Sequence, residues 1–177
     1  MKRTILFLLI FSSCLLSQVE YSIGSNFIGE GPLFYLDTAN YKSKEPNKTR
    51  IDFFIQVPYS GIQFIKNNNI FFASYNITIT FMDKDKSNIL SDSTWKETVE
   101  TKDFRQTSSR SNYNLSYQSF DLKPGDYFFK CSVEDLDSRK TSIREFPFTV
   151  RAINDTLGLS DIVLISEIVL PQNLYML

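Results

Sequence analysis

The chain has no histidine, one tryptophan, two cysteines and only six glycines in 177 residues. Without histidine it lacks the side chain that most often serves as general base or metal ligand near neutral pH. The glycines are too scattered to build a phosphate-cradling loop, and no Gly-x-Ser-x-Gly elbow occurs. There are 19 basic and 20 acidic residues with no basic block, so nucleic-acid binding and attraction to anionic lipid lack their usual electrostatic support. Cys131 falls on the apolar side of an alternating segment, the place of a small buried hydrophobe rather than a nucleophile. These absences argue against an enzyme. No catalytic residue, cofactor or metal ligand is expected.

What is present begins with a targeting pattern. Lys2 and Arg3 precede Ile5-Leu6-Phe7-Leu8-Leu9-Ile10-Phe11, with Ser12, Ser13 and Cys14 following. A basic start, a short apolar run and small residues near its end make a secretory signal. The run is too short to span a bilayer, which takes about 20 apolar residues. Two cleavage sites are open. Phe11-Ser12-Ser13-Cys14 has the form of a lipobox, in which Cys14 becomes the lipidated first residue and the only tie to a membrane. Otherwise Cys14 lies inside the apolar region and cleavage falls near Ser17-Gln18. Residues 1–17 are expected to be the signal peptide, which exports the chain to the periplasm, the outer-membrane surface or the extracellular space. Their removal leaves 17 basic residues against 20 acidic ones, a net charge of −3. If Cys14 is removed, Cys131 has no intramolecular partner.

The remainder is rich in aromatic and β-branched residues, with a period of two. Tyr75, Ile77, Ile79 and Phe81 alternate with Asn76, Thr78, Thr80 and Met82. Ile51, Phe53, Ile55 and Val57 alternate with Asp52, Phe54 and Gln56, and Tyr127, Phe129, Cys131 and Val133 with Phe128, Lys130 and Ser132. Such alternation marks strands with one buried and one wet face, as in antiparallel sheets. Further strands are expected at about 33–37, in a short segment before Asn67-Asn68-Asn69, and at 143–150, where Pro147 indicates an edge. The only helical stripe is a weak one at 96–104. Turn residues at Lys42–Lys48, Pro58–Gly61, Asp83–Asn88, Lys123–Asp126 and Glu134–Ser138 punctuate the runs. About seven to eight short strands over residues 25–153 predict an immunoglobulin-like antiparallel β-sandwich. Within it, Lys123-Pro124-Gly125-Asp126-Tyr127 has the form of a tyrosine corner, with the Tyr127 hydroxyl bonded back across the turn.

With these segments placed, the chain resembles the N-terminal β-domain of the GWxTD-domain proteins, an exported bacterial family. The resemblance rests on Phe34-Tyr35-Leu36-Asp37-Thr38-Ala39-Asn40-Tyr41 and Ile51-Asp52-Phe53-Phe54-Ile55-Gln56-Val57-Pro58. It continues with Leu122-Lys123-Pro124-Gly125-Asp126-Tyr127, Val133-Glu134-Asp135-Leu136-Asp137-Ser138-Arg139 and Leu159-Ser160-Asp161-Ile162-Val163-Leu164. Together they span roughly residues 33–165. The Gly-Trp-x-Thr-Asp motif that names the family is absent, since Trp95 stands in Ser93-Thr94-Trp95-Lys96. The chain then reads as a naturally short member or a truncated gene.

Three groups of residues invite a functional reading. Asp83-x-Asp85-x-Ser87-Asn88 and Glu134-Asp135-x-Asp137 resemble parts of a cation loop, but the first lacks the glycine and distal glutamate of a calcium loop. Both read better as solvated hairpin tips. Trp95, Phe72, Phe54 and Phe128 fall on outward or ambiguous positions, where they could stack sugars or contact a neighbouring domain. Residues 154–177 form an apolar tail or the start of a second β-rich domain. Its run Ile162 to Leu170 suits a further domain or protein packed upon it. The expected function is an exported, non-catalytic interaction or assembly module of the bacterial cell envelope. A small outer-membrane β-barrel and a carbohydrate-binding module are the alternatives. Four Asn-x-Ser/Thr sequons, at Asn47, Asn76, Asn114 and Asn154, carry little weight in such an envelope.

Overall fold

The structure, a computed structural model, describes residues 26–153 and 158–163. Residues 1–25, with the expected signal and Cys14, lie outside the described residues, as do 154–157 and 164–177.

Among the described residues, nine strands form two facing antiparallel sheets. They are β1 (Asn26–Gly29), β2 (Tyr35–Lys42), β3 (Thr49–Pro58), β4 (Ile65–Asn67), β5 (Ile70–Asp83), β6 (Ile89–Thr101), β7 (Tyr113–Leu122), β8 (Gly125–Asp135) and β9 (Thr141–Val150). One sheet has the order β2-β3-β7. The other runs β1-β9-β8-β5, with β6 on the far side of β5 and short β4 paired to the start of β5 on the side opposite β6. This is an immunoglobulin-like sandwich, not a single closed barrel. It has more strands than expected because β1, which no alternation announces, adds to the edge of β9. Gly29, at φ 111, and Gly31 permit that approach, because a Cβ on either would collide with the Thr141 backbone.

The alternating segments bury the side chains their period selects. Ile51, Phe53, Ile55, Val57, Tyr75, Ile77, Ile79, Phe81, Phe129, Cys131 and Val133 are all fully buried between the sheets. Phe53 is the hub. Its ring stacks on Phe129 at 4.9 Å and meets Phe81 and Phe120 edge-on at 5.8 and 5.6 Å. Burying each such ring contributes about 1.5–3 kcal/mol, and the offset and edge contacts add to it.

Three expectations need correction. Residues 96–104 are not helical: β6 continues through Thr101, and only a 3-10 turn at Phe104–Ser108 follows. The Ser/Thr-rich pattern of β6 suits an exposed edge strand, and pairing with β5 overrides the weak helical stripe. The first long strand starts at Tyr35 and runs to Lys42, beyond the predicted 33–37. Asp52 points to the outer face of its sheet but is not wet, at 4 % exposed. Pro147 pairs with Phe128 of β8, beyond the stretch of β9 that β1 covers, so its outer side is an edge.

Candidate functional site: the outer face of the three-stranded sheet

The first half of β7 reverses the usual pattern. Over residues 113–117 the polar side chains face the core and the apolar ones face solvent: Ser116 is 3 % exposed, whereas Tyr113, Leu115 and Tyr117 are 48, 56 and 51 % exposed; beyond them Phe120 and Leu122 return to the core. The reversal is tolerated because the inward polar groups find partners across the sandwich. Ser116 Oγ donates to Glu97 Oε1 at 2.6 Å and accepts from Trp95 Nε1 at 2.9 Å. Asn114 Nδ2 donates to Tyr75 Oη at 2.8 Å. No buried group of this seam is left without a partner, so the inversion avoids the desolvation cost that usually forbids it.

Register places the outward side chains in rows across the sheet. Tyr35, Gln56 and Leu115 form one row, Asp37, Phe54 and Tyr117 the next, and Ala39, Asp52 and Ser119 a third. Phe54 and Tyr117 touch at 5.4 Å between ring centroids, with planes inclined at 44°. Behind them lies a fixed polar chain. Asp52 is acceptor-only, so the Ser119 proton goes to its Oδ1 at 2.8 Å, and the Tyr117 hydroxyl, 2.7 Å away, donates to Ser119 Oγ. The Arg50 guanidinium closes on Asp52, with Nε 3.0 Å from Oδ1, and its Cζ stands 5.0 Å from the Tyr41 ring centroid. Tyr117 is thereby held at both ends, by a ring contact and by its hydroxyl.

Of the four aromatics singled out from the sequence, only Phe54 lies on this face. Trp95 points inward, a correction, because the Ser116 and Glu97 oxygens draw its N–H between the sheets. Phe72 and Phe128 lie half-buried on the outer face of the larger sheet, the latter beneath Lys86 Nζ at 3.6 Å. Tyr35, Tyr113, Leu115 and Tyr117 were missed. Their alternation is present in the sequence, but the rule that apolar residues face inward assigns them to the core.

The remaining sites have structural work. Tyr127 Oη donates to Lys123 O at 2.8 Å, back across the Pro124-Gly125 turn. Cys131 is fully buried, and burial pushes its thiol up to about 12, so it is not a ready nucleophile. Asp83 closes its own turn, accepting from Ser87 N and Oγ and from Asn88 Nδ2; these bonds hold its carboxyl down at about 2. Asp135 is not solvated, contrary to expectation. It is 2 % exposed and accepts from the backbone N–H groups of Gln63, Asp137 and Ser138. Its position at the end of β8, beneath the β3–β4 connection, makes it an acceptor for backbone rather than for a cation.

The described part of the tail meets β2 at Asn40. Asp161 Oδ2 accepts from Asn40 N and Nδ2 at 2.7 and 2.8 Å, its own N–H donates to Asn40 O, and Arg151 pairs with its other oxygen. Ile162 is 91 % exposed, and 164–170 fall outside the described residues. No family model matches the chain, and no curated protein matches it.

Proposed function

We propose that this chain is an exported, non-catalytic interaction module of the bacterial cell envelope, docking a folded protein through the outer face of β2-β3-β7. The observation that carries the reading is the inverted β7. Exposing Tyr113, Leu115 and Tyr117 adds nothing to the core, which β7 reaches only through Phe120 and Leu122, and exposed aromatic clusters are what protein interfaces are made from. Tyr117, already immobilised by Phe54 and Ser119, loses little entropy on being covered, which suits an anchor residue. The sequence order of the resembling segments between positions 34 and 164 supports reading the chain as the β-domain of the GWxTD-domain family, with a further domain or protein of the envelope as the partner. Sugar stacking is the weaker alternative. Two rings inclined at 44° do not offer one flat platform to a pyranose.

The test uses the exported chain with a photoreactive residue at position 117. Illumination should yield a discrete protein adduct in envelope fractions. The adducted protein, once purified, should bind the unmodified chain in calorimetry and fail to bind Leu115→Asp. Binding to a glycan array abolished by Leu115→Asp, with no protein adduct, would replace this reading with the carbohydrate one.

A further inference from the structure

β6 pairs with β5 along one side, and among the described residues no strand pairs with its other side. At 13 residues it is the longest open edge, since β9 carries β1 and β2 carries Asp161. A free row of backbone N–H and C=O groups of this length is a template for another strand, unless something blocks it. β6 contains no proline. Its irregularity, between Phe81 and Met82 of β5, lies at the start of the strand and leaves Ser91 through Thr101 in regular register.

We infer that this edge receives the same edge of a second copy, antiparallel, with a two-fold axis through Thr94. A two-fold axis normal to the sheet keeps outer faces together, so each outward residue meets an outward residue of the other copy. The outward, exposed side chains are Asp92, Thr94, Lys96, Thr98 and Glu100. Centring on Thr94 sets Asp92 opposite Lys96 twice, and Thr94 opposite itself. On the inward side Ser93 meets Trp95 and Ser91 meets Glu97. Centring on Trp95 makes no charged pair. Centring on Lys96 sets that lysine against itself and Asp92 against Glu100, which like-charge repulsion opposes. Centring on Thr98 also sets Lys96 opposite Glu100 twice, but there only residues 95–101 overlap, against 89–99 when the axis is at Thr94, so charge and overlap together select one register. The other open edge, β7, cannot do this: its outward row of Tyr113, Leu115, Tyr117, Ser119 and Asp121 holds a single charge. A lysine on an edge ordinarily deters pairing; here the facing Asp92 converts it into a selector.

The inference does not depend on the aromatic face of β2-β3-β7, and charge reversal tests it separately. Sedimentation velocity of the full chain should show a concentration-dependent dimer. Lys96→Asp places four carboxylates together and should weaken it about tenfold or more, as should Asp92→Lys; the double reversal should return affinity to within about threefold. Asp92 also accepts from Thr80 Oγ1 at 2.8 Å, so a fold defect in variants at that position is watched by circular dichroism. Lys96→Asp carries no such complication. Hydrogen exchange supplies the second reading: amides of Ser91–Glu97 that point away from β5 should be protected in the native dimer and exchange freely in Lys96→Asp. A chain that stays monomeric, a dimer indifferent to Lys96→Asp, or those amides unprotected in the native dimer would overturn the assignment. So would a dimer abolished by Leu115→Asp, since the contact would then be the aromatic face.

Discussion

Asp135 offers the sharpest perturbation of the fold. Its Oδ1 accepts from Asp137 N and Ser138 N, both at 2.9 Å, and its Oδ2 accepts from Gln63 N at 2.6 Å. The first pair closes the β8–β9 turn; the second bond ties that turn to the β3–β4 connection. Asp135→Asn separates the two functions. The amide oxygen can keep the turn, but the NH2 group then faces the Gln63 N–H, donor against donor. Losing one hydrogen bond to a charged acceptor and setting a part-buried donor against another donor costs about 2–3 kcal/mol. Asp135→Ala empties all three bonds and should cost about 4–6 kcal/mol, close to the whole stability of a marginal domain. Denaturant unfolding would give both values. Native-state hydrogen exchange locates the effect: the Gln63 amide should lose protection in Asp135→Asn while Asp137 and Ser138 keep theirs. Equal costs for the two substitutions, or an unchanged Gln63 amide, would refute the division of labour.

Tyr127→Phe removes the bond to Lys123 O and should cost about 0.5–1.5 kcal/mol, with Tyr127→Ala costing more through lost packing on the core; equal losses in chemical denaturation would mean the hydroxyl holds nothing. For Asp83, whose carboxyl is held down at about 2 against an ordinary value of 3.8, the folded form binds its proton later than the unfolded chain. Its contribution is therefore fully present above the unfolded value and is lost as pH falls through the folded one. Carbon-detected titration should follow Asp83 to about pH 2, and Asp83→Asn should abolish the corresponding change in Ser87 amide exchange over that window.

The elements that the sequence announced were those whose two faces meet different media. β3, β5 and β8 separate core from exterior, so Ile51, Tyr75 and Phe129 could be sorted by period alone. β6 and β7 escaped that logic for opposite reasons. β6 alternates serine and threonine with charge along an exposed edge and so carries little apolar period. β7 carries a clear period whose meaning is reversed over its first half, because Asn114 and Ser116 are satisfied by Tyr75, Trp95 and Glu97 from the other sheet. No local pattern reports a partner across the sandwich. Asp52 was misjudged similarly: a charge on the outer face can be dry when Arg50 and Ser119 close over it. The tyrosine corner was legible because its hydrogen bond spans only four positions.

The ring of Phe53 has a consequence for how the chain reaches this structure. It touches Phe81, Phe120, Phe129 and Phe148, donated by β5, β7, β8 and β9. None of these contacts is local, and the last partner lies near the end of β9. Domains dominated by such distant pairings fold on the millisecond-to-second scale, because loop closure precedes any reward. During synthesis, at roughly 5–20 residues per second, Phe53 emerges several seconds before Phe148. Through that interval the hub has no complete set of neighbours, so the core around Phe53 cannot close before β9 is made.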